Sequence, residues 1–232
     1  MSTTNNPTLF TYCIPVDDGA APNPYWGICT LVICKPVIRR VANVGDWVVG
    51  IGSKNSPIGN ISKSIVYAMK ITDKISMKEY DSYCKEIYPN KIPDWESKDF
   101  KKKVGDCIYD YSIGLYPQLR KGVHSERNKA RDLGGMFALI SDHFYYFGDN
   151  PLELLKKLWS IRKENQGHKS KSNDPFVSDF ISWIEGKGEL NCLKGEPQYK
   201  KKLLENLKTP CDASLKRLEE AEEDEKIGIK SC

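Results

Sequence analysis

Gly27-Ile-Cys-Thr-Leu-Val-Ile-Cys34 is an almost unbroken apolar run, and Lys35-Pro-Val-Ile-Arg-Arg-Val-Ala42 behind it changes character at once. The first segment reads as a strand covered on both faces, because polar alternation is missing and β-branched residues dominate. Within the second, Pro36–Ala42 reads as a short helix with proline in its first turn, where the missing N–H is an orphan anyway. Val44-Gly-Asp-Trp-Val-Val-Gly-Ile-Gly52 then turns into another strand. Working outward, Leu9–Ile14 reads as a strand, and Val16-Asp-Asp-Gly-Ala-Ala-Pro-Asn-Pro24 is a loop by composition. Ser64–Thr72 is a further strand, and Ser76-Met-Lys-Glu79 is a capping box that opens a helix to about Ile87. The stretch Tyr88–Leu133 is polar and irregular, as functional loop regions are. Gly135–Ser141 and His143–Gly148 restore strand chemistry.

After Asp149 the periodicity turns helical. Pro151–Arg162 places Leu152, Leu155, Leu158 and Trp159 on one face. Asp174 and Pro175 read as cap and first position of a second helix carrying Phe176, Phe180 and Ile184. Two charged helices are expected near 197–208 and 212–225, the latter ending in the solvated acidic run Glu219–Glu225. Strands first and helices last define an α+β class. The expected organisation is a β-rich domain over residues 1–149 and a charged helical appendage over 150–232.

With 232 residues, 40% of them hydrophobic, the chain can bury a core without disulfides or metal. Lys and Arg number 35 against 31 Asp and Glu, and a net charge of +4 neither requires nor excludes nucleic acid. The eight cysteines form no Cys-x-x-Cys pair, so reduced thiols without a zinc site are expected. The sequence has no phosphate-binding glycine loop of the P-loop type and no dinucleotide fingerprint, so no cofactor is expected. No apolar run approaches the ~20 residues of a membrane span, and Met1–Phe10 lacks a secretory pattern. A cytoplasmic protein without membrane attachment is the expectation.

The order of strand, loop, buried strand, short helix and Gly-Asp turn resembles the PUA-like small barrels, the group of the ASCH, EVE and YTH domains. The motifs Asp17–Gly27, Cys34-Lys-Pro-Val-Ile-Arg-Arg40 and Gly45-Asp-Trp-Val-Val-Gly-Ile-Gly-Ser53 look like the second nucleotide-modification-associated domain family. Gly105-Asp-Cys-Ile-Tyr109 and Leu139–Gly148 fit as well, so the resemblance spans roughly residues 8–149. Tyr109-Asp-Tyr111 departs from it, standing where members tend to show a histidine. The resemblance implies a small mixed PUA-like barrel, and an association with DNA base modification in bacteria and phages.

Loop 17–26 sets two carboxylates and an amide beside two aromatic rings and is stiffened by proline. Tyr25 or Trp26 can stack on a base, and Asn23 can read a base edge. Equally, Asp17 and Asp18 can simply build a turn before Gly19, with the aromatic rings in the core. Lys35, Arg39 and Arg40 follow the buried strand and can hold phosphates, as can Ser53 and Lys54 after a Gly-x-Gly turn. His124 lies in the irregular region and can act as a general acid or base. Lys156, Lys157, Arg162, Lys163, Lys169 and Lys171 offer a surface for DNA backbone, or a plain solvated face.

Three functions follow. The first is excision of a hypermodified base flipped out of DNA, as in defence against phages carrying modified genomes. Asp17, the carboxylate matching the family's Asp, would stabilise the oxocarbenium-like transition state, with Asp18 in support. The second is a reader that binds a modified base without chemistry. The third is a base-modifying transferase, for which no donor pocket is evident. The acidic loop favours excision, because a carboxylate near DNA hinders mere binding.

Overall fold

The computed structural model describes residues 6–114 and 116–201. In chain order the elements are β1 (Leu9–Ile14), β2 (Cys29–Leu31), α1 (Pro36–Val41), β3 (Trp47–Gly52), β4 (Ser64–Lys70), β5 (Asp73–Ser76) and α2 (Met77–Glu86). There follow α3 (Phe100–Lys103), β6 (Tyr109–Asp110), β7 (Gln118–Leu119), α4 (Glu126–Leu133), β8 (Phe137–Ser141) and β9 (His143–Tyr146). The last are β10 (Leu152–Glu153), β11 (His168–Lys169), α5 (Val177–Glu185) and β12 (Cys192–Leu193). The class is α+β.

The large sheet runs β11-β1-β3-β4-β9-β12, with β10 also on β4. β1 and β3 pair in parallel from Leu9↔Trp47 to Ile14↔Gly52. Parallel neighbours need a long crossover. Here it is made by residues 15–46, and it carries the loop at 17–26, β2 and α1. Gly50 is required where β3 passes β1, since a Cβ there would fall 2.2 Å from Ile14 Cδ1. A second, antiparallel sheet, β2-β8-β5, lies over the first.

Three apolar layers hold these pieces together. Phe10, Tyr12, Ile14, Val66 and Phe144 of the large sheet meet Leu31 and Leu139 of the small one. On the opposite face of the large sheet, Leu9, Trp47, Val49, Ile51 and Ile65 are covered by Leu154, Leu158, Ile161, Phe180 and Ile184. A third layer packs Met77, Tyr80 and Cys84 of α2 with Phe100, Val104 and Ile108, around Val32 and Ile140. Both faces of the large sheet are therefore buried, which is why β1 and β3 carry almost no polar residues.

Several expectations change. The large sheet is an open path, and no closed PUA-like barrel forms among the described residues. Strand pairing covers only Cys29–Leu31 of the apolar run 27–34, because the chain bends at 33–34 to start α1. The expected helix from Pro151 is β10 followed by a 3-10 turn at Lys156–Ile161. Pairing of Leu152 with Ile65 of β4 overrides the helical periodicity, and Leu155 is exposed while Leu154 is buried. Asp174 and Pro175 lie in a second 3-10 turn, and α5 starts at Val177.

The chain past Asp149 is woven into the sheet rather than set beside it: β10, β11 and β12 pair with β4, β1 and β9. Asn173 Nδ2 donates to Leu9 O at 2.9 Å, and Thr11 Oγ1 donates to Ile161 O at 2.6 Å. The charged helix expected at 212–225, the acidic run and most of the helix expected at 197–208 lie outside the described residues. Among the described residues no helix is long and apolar enough to cross a membrane.

Candidate active site

The bend that ends the apolar run places two consecutive non-glycine residues in the left-handed region, Cys34 at φ 59° and Lys35 at φ 42°. Each such residue costs on the order of 1–3 kcal/mol unless its surroundings enforce it. Here they do. The Cys34 N–H donates to Asp132 Oδ1 at 2.8 Å, the Cys34 carbonyl accepts from Arg39 Nε at 2.8 Å, and Pro36 fixes the first turn of α1. The thiol of Cys34 lines a cleft of about 560 Å³, within the usual range for small-molecule sites.

His124 stands just before α4 and Asp132 in its last turn, so one short helix fixes both. Cys34 Sγ lies 3.6 Å from His124 Nε2, and His124 Nδ1 lies 2.5 Å from Asp132 Oδ2. Tyr109 donates its hydroxyl to the same carboxylate oxygen at 3.0 Å. Only 4% of His124 and none of Asp132 is exposed. The sulfur contacts Nε2 and the carboxylate contacts Nδ1, while the carboxylate also holds the Cys34 backbone N–H. The three groups lie within 4.8 Å of one another, a spacing that invites a metal reading. Cys, His and Asp at this spacing have the composition of a proton relay and equally that of a three-ligand metal site.

Burial alone would push His124 down, but the charges of Cys34 and Asp132 outweigh it and raise the imidazole to about 10. Burial pushes the Asp132 carboxyl up, and the His124 hydrogen bond and charge, the Cys34 N–H and Arg39 more than reverse this. A protonated imidazole beside the sulfur is the setting that favours a thiolate.

Arg39 holds the two halves of the site together. Its side chain is fully buried, and its guanidinium donates to the carbonyls of Cys34, Phe137 and Asp132. Burial lowers it to about 10, so it stays charged at neutral pH. Gly135 makes room for it, since a Cβ there would sit 2.1 Å from the guanidinium carbon. Arg39 thus fixes the backbone of the site rather than facing a ligand.

The other residues singled out in the sequence divide into two groups. Lys35 and Ser53 line the cleft with Cys34, and the Lys35 ammonium sits 4.4 Å over the Tyr12 ring. Asp17, Asn23, Tyr25 and Trp26 are absent from the lining. Both Asp17 oxygens accept from the Tyr146 hydroxyl, at 2.9 and 3.0 Å, and burial lifts the carboxyl to about 7. Asp18 Oδ1 accepts from Ala20 N at 3.0 Å, building the turn. Its carboxyl is raised by burial and by the Cys34 charge, and lowered by the Ala20 N–H and by His124. Asn23 is fully buried, its Oδ1 accepting from Lys91 Nζ at 2.8 Å and its Nδ2 donating to Val104 O at 2.9 Å. Tyr25 is a core residue, and Trp26 packs half-buried beside it.

Arg40 donates to Gly134 O at 2.7 Å, and Lys54 pairs with Glu164 at 2.6 Å. Of the later cations, Lys156, Lys157 and Lys171 are exposed, and Lys157 pairs with Asp179. Arg162, Lys163 and Lys169 are half-buried. Arg162 lies over the Trp159 ring at 5.2 Å, and Lys169 donates to Ser160 O.

Cys34, Asp132 and Tyr109 escaped the sequence reading. The available signal was a cysteine at the end of a strand, directly before a helix-opening Lys-Pro, in a chain that also holds a histidine in an irregular loop. In an α+β fold, half-buried Cys34 beside buried His124 and Asp132 at the lining of a cleft has the composition of a thiol-nucleophile site. The chain matches the family described as nucleotide modification associated domain 2 over residues 6–204, and it belongs to that family. That range takes in β10, β11, α5 and β12. No curated protein and no solved structure matches.

Proposed function

We propose that this protein is an enzyme that removes or transfers an acyl group carried by a modified nucleotide of DNA, through a thioester on Cys34. The Cys34–His124–Asp132 relay at the wall of the cleft carries the reading. The thiolate attacks the carbonyl carbon of an ester or amide. The C–O or C–N bond of the substrate breaks, and His124 gives its proton to the departing oxygen or nitrogen. Water, or an amine acceptor, then attacks the thioester with His124 as base and frees the thiol. Asp132 holds the ring with Nδ1 toward itself and Nε2 toward sulfur, and Tyr109 fixes Asp132.

Excision of a base led by Asp17 is the competing reaction. It needs a carboxylate facing the sugar, whereas both Asp17 oxygens are bound to Tyr146 and Asp17 does not line this cleft. The nucleotide as substrate rests on the family, and acyl chemistry rests on the relay. The test is turnover of DNA bearing acyl- or aminoacyl-modified bases, scored for free acid and for abasic sites. Acid release abolished by Cys34→Ala and retained by Asp17→Asn supports the proposal. Abasic sites that persist in Cys34→Ala and vanish in Asp17→Asn would establish excision instead. Tight binding of modified DNA with neither product would leave a reader.

A further inference from the structure

We propose that Arg131 is the anchor for a phosphate of the substrate, a step that rests on the nucleotide reading above. Arg131 precedes Asp132 in the last turn of α4, so the element that fixes the relay also aims this side chain. It lines the same cleft as Cys34. Its Nε is shielded from solvent and has no hydrogen-bond partner among the described residues. A buried donor left unsatisfied is costly, and a guanidinium in a protein ordinarily finds a carboxylate or a carbonyl. The cleft does contain a carboxylate, that of Glu164. It is engaged instead by Lys54 at 2.6 Å and by Arg162 at 3.5 Å.

Arg131 therefore lines the cleft with at least its Nε without an acceptor among the described residues. A guanidinium takes two oxygens of an oxyanion in bidentate fashion, and phosphate and carboxylate both qualify. Lys35 lines the same cleft, so its ammonium joins Arg131 in the lining that holds Cys34. With Glu164 paired to Lys54 and Arg162, the lining suits a phosphate group, and the base or its acyl substituent is left to reach Cys34.

Protection of Cys34 from iodoacetamide tests this on the intact chain. The probes are mixed deoxynucleoside 5′-monophosphates, the matching deoxynucleosides, inorganic phosphate and N-acetylglycine. Each protection curve is read against the same protein's own labelling rate without probe. The expected result is protection by the monophosphates and, more weakly, by inorganic phosphate. Arg131→Gln should raise the half-protecting concentration of monophosphate about tenfold or more, the scale of losing a charge-assisted pair. Arg131→Lys, which keeps the charge without the fork, should fall between.

Equal protection by nucleosides and monophosphates overturns the anchor, as does an unchanged curve in both variants. Protection by N-acetylglycine but not by phosphate assigns Arg131 to a carboxylate and also overturns it. If Cys34 labels no faster than Cys13, the thiol reading itself fails, so the two failures are distinguishable.

Discussion

At the scale of single residues, the decisive feature is that three groups of different chemistry share one proton path. His124 Nε2 faces the Cys34 sulfur and its Nδ1 faces Asp132, whose charge helps hold the ring protonated. The imidazole is ordinary at 6.5 when unfolded and about 10 when folded. This raised value makes a stabilising contribution that is complete below pH 6.5 and is lost as the pH rises through about 10. A proton NMR titration of the His124 ring should therefore show a midpoint well above 8, and a midpoint below 7 would contradict the ion pair.

Asp17 behaves in the opposite sense. Its carboxyl moves from 3.8 to about 7, so the folded protein keeps a proton that the unfolded chain has given up. Stability is highest below pH 3.8, declines between there and about 7, and is flat above. Asp17→Asn removes that penalty, and Asn can still accept from Tyr146. The melting temperature of the variant relative to wild type should rise from pH 5 to pH 8. A difference independent of pH would show that Asp17 is charged throughout.

At the scale of elements, α1 and α4 are joined by one buried arginine. Arg39→Met would leave the carbonyls of Cys34, Phe137 and Asp132 without their donor. Removing one side of a buried charged network costs roughly 3–5 kcal/mol, readable from urea unfolding. Gly135→Ala reaches the same clamp from the other side by pushing into the guanidinium, and overpacking of this kind costs about 1–3 kcal/mol. It should also slow Cys34 labelling, because the bend at 34–35 loses its support. Wild-type stability in Gly135→Ala would mean that Arg39 has another resting place.

These elements also mark what a sequence can reveal. β1 matches its expected bounds because its residues are mostly apolar and β-prone, and α2 opens on its capping box, with Ser76 Oγ accepting from Glu79 N at 3.2 Å. Such signals are local. The relay is not, since Cys34 and His124 are 90 positions apart, and nothing near Cys34 distinguishes it from seven other cysteines. Loop 17–26 is polar and stiff in sequence, yet a buried Lys91 and Tyr146 draw Asn23 and Asp17 inward. Burial of that kind is decided by partners far along the chain.

At the scale of the whole molecule, the far side of the large sheet depends on residues beyond 149. Trp47, Val49, Ile51 and Ile65 are covered by the segment that runs from Leu154 to Ile184. A fragment ending at Asp149 should therefore fail to fold cooperatively or should aggregate. A soluble fragment with a sharp melting transition would restore the expected boundary. The site likewise needs distant parts of the fold, because the bend before α1, the loop before α4 and α4 itself each bring one member.

The most direct measurement is the order in which the thiols react with iodoacetamide at pH 6.5, mapped by peptide mass spectrometry. Cys13, Cys34 and Cys192 are comparably half-buried, and Cys29, Cys84 and Cys107 are buried, so exposure alone gives Cys34 no lead over the first group. If the relay activates it, Cys34 labels first, and His124→Gln or urea erases the lead. Labelling of Cys34 at the pace of Cys13 and Cys192 in the native protein would contradict a nucleophile at this position.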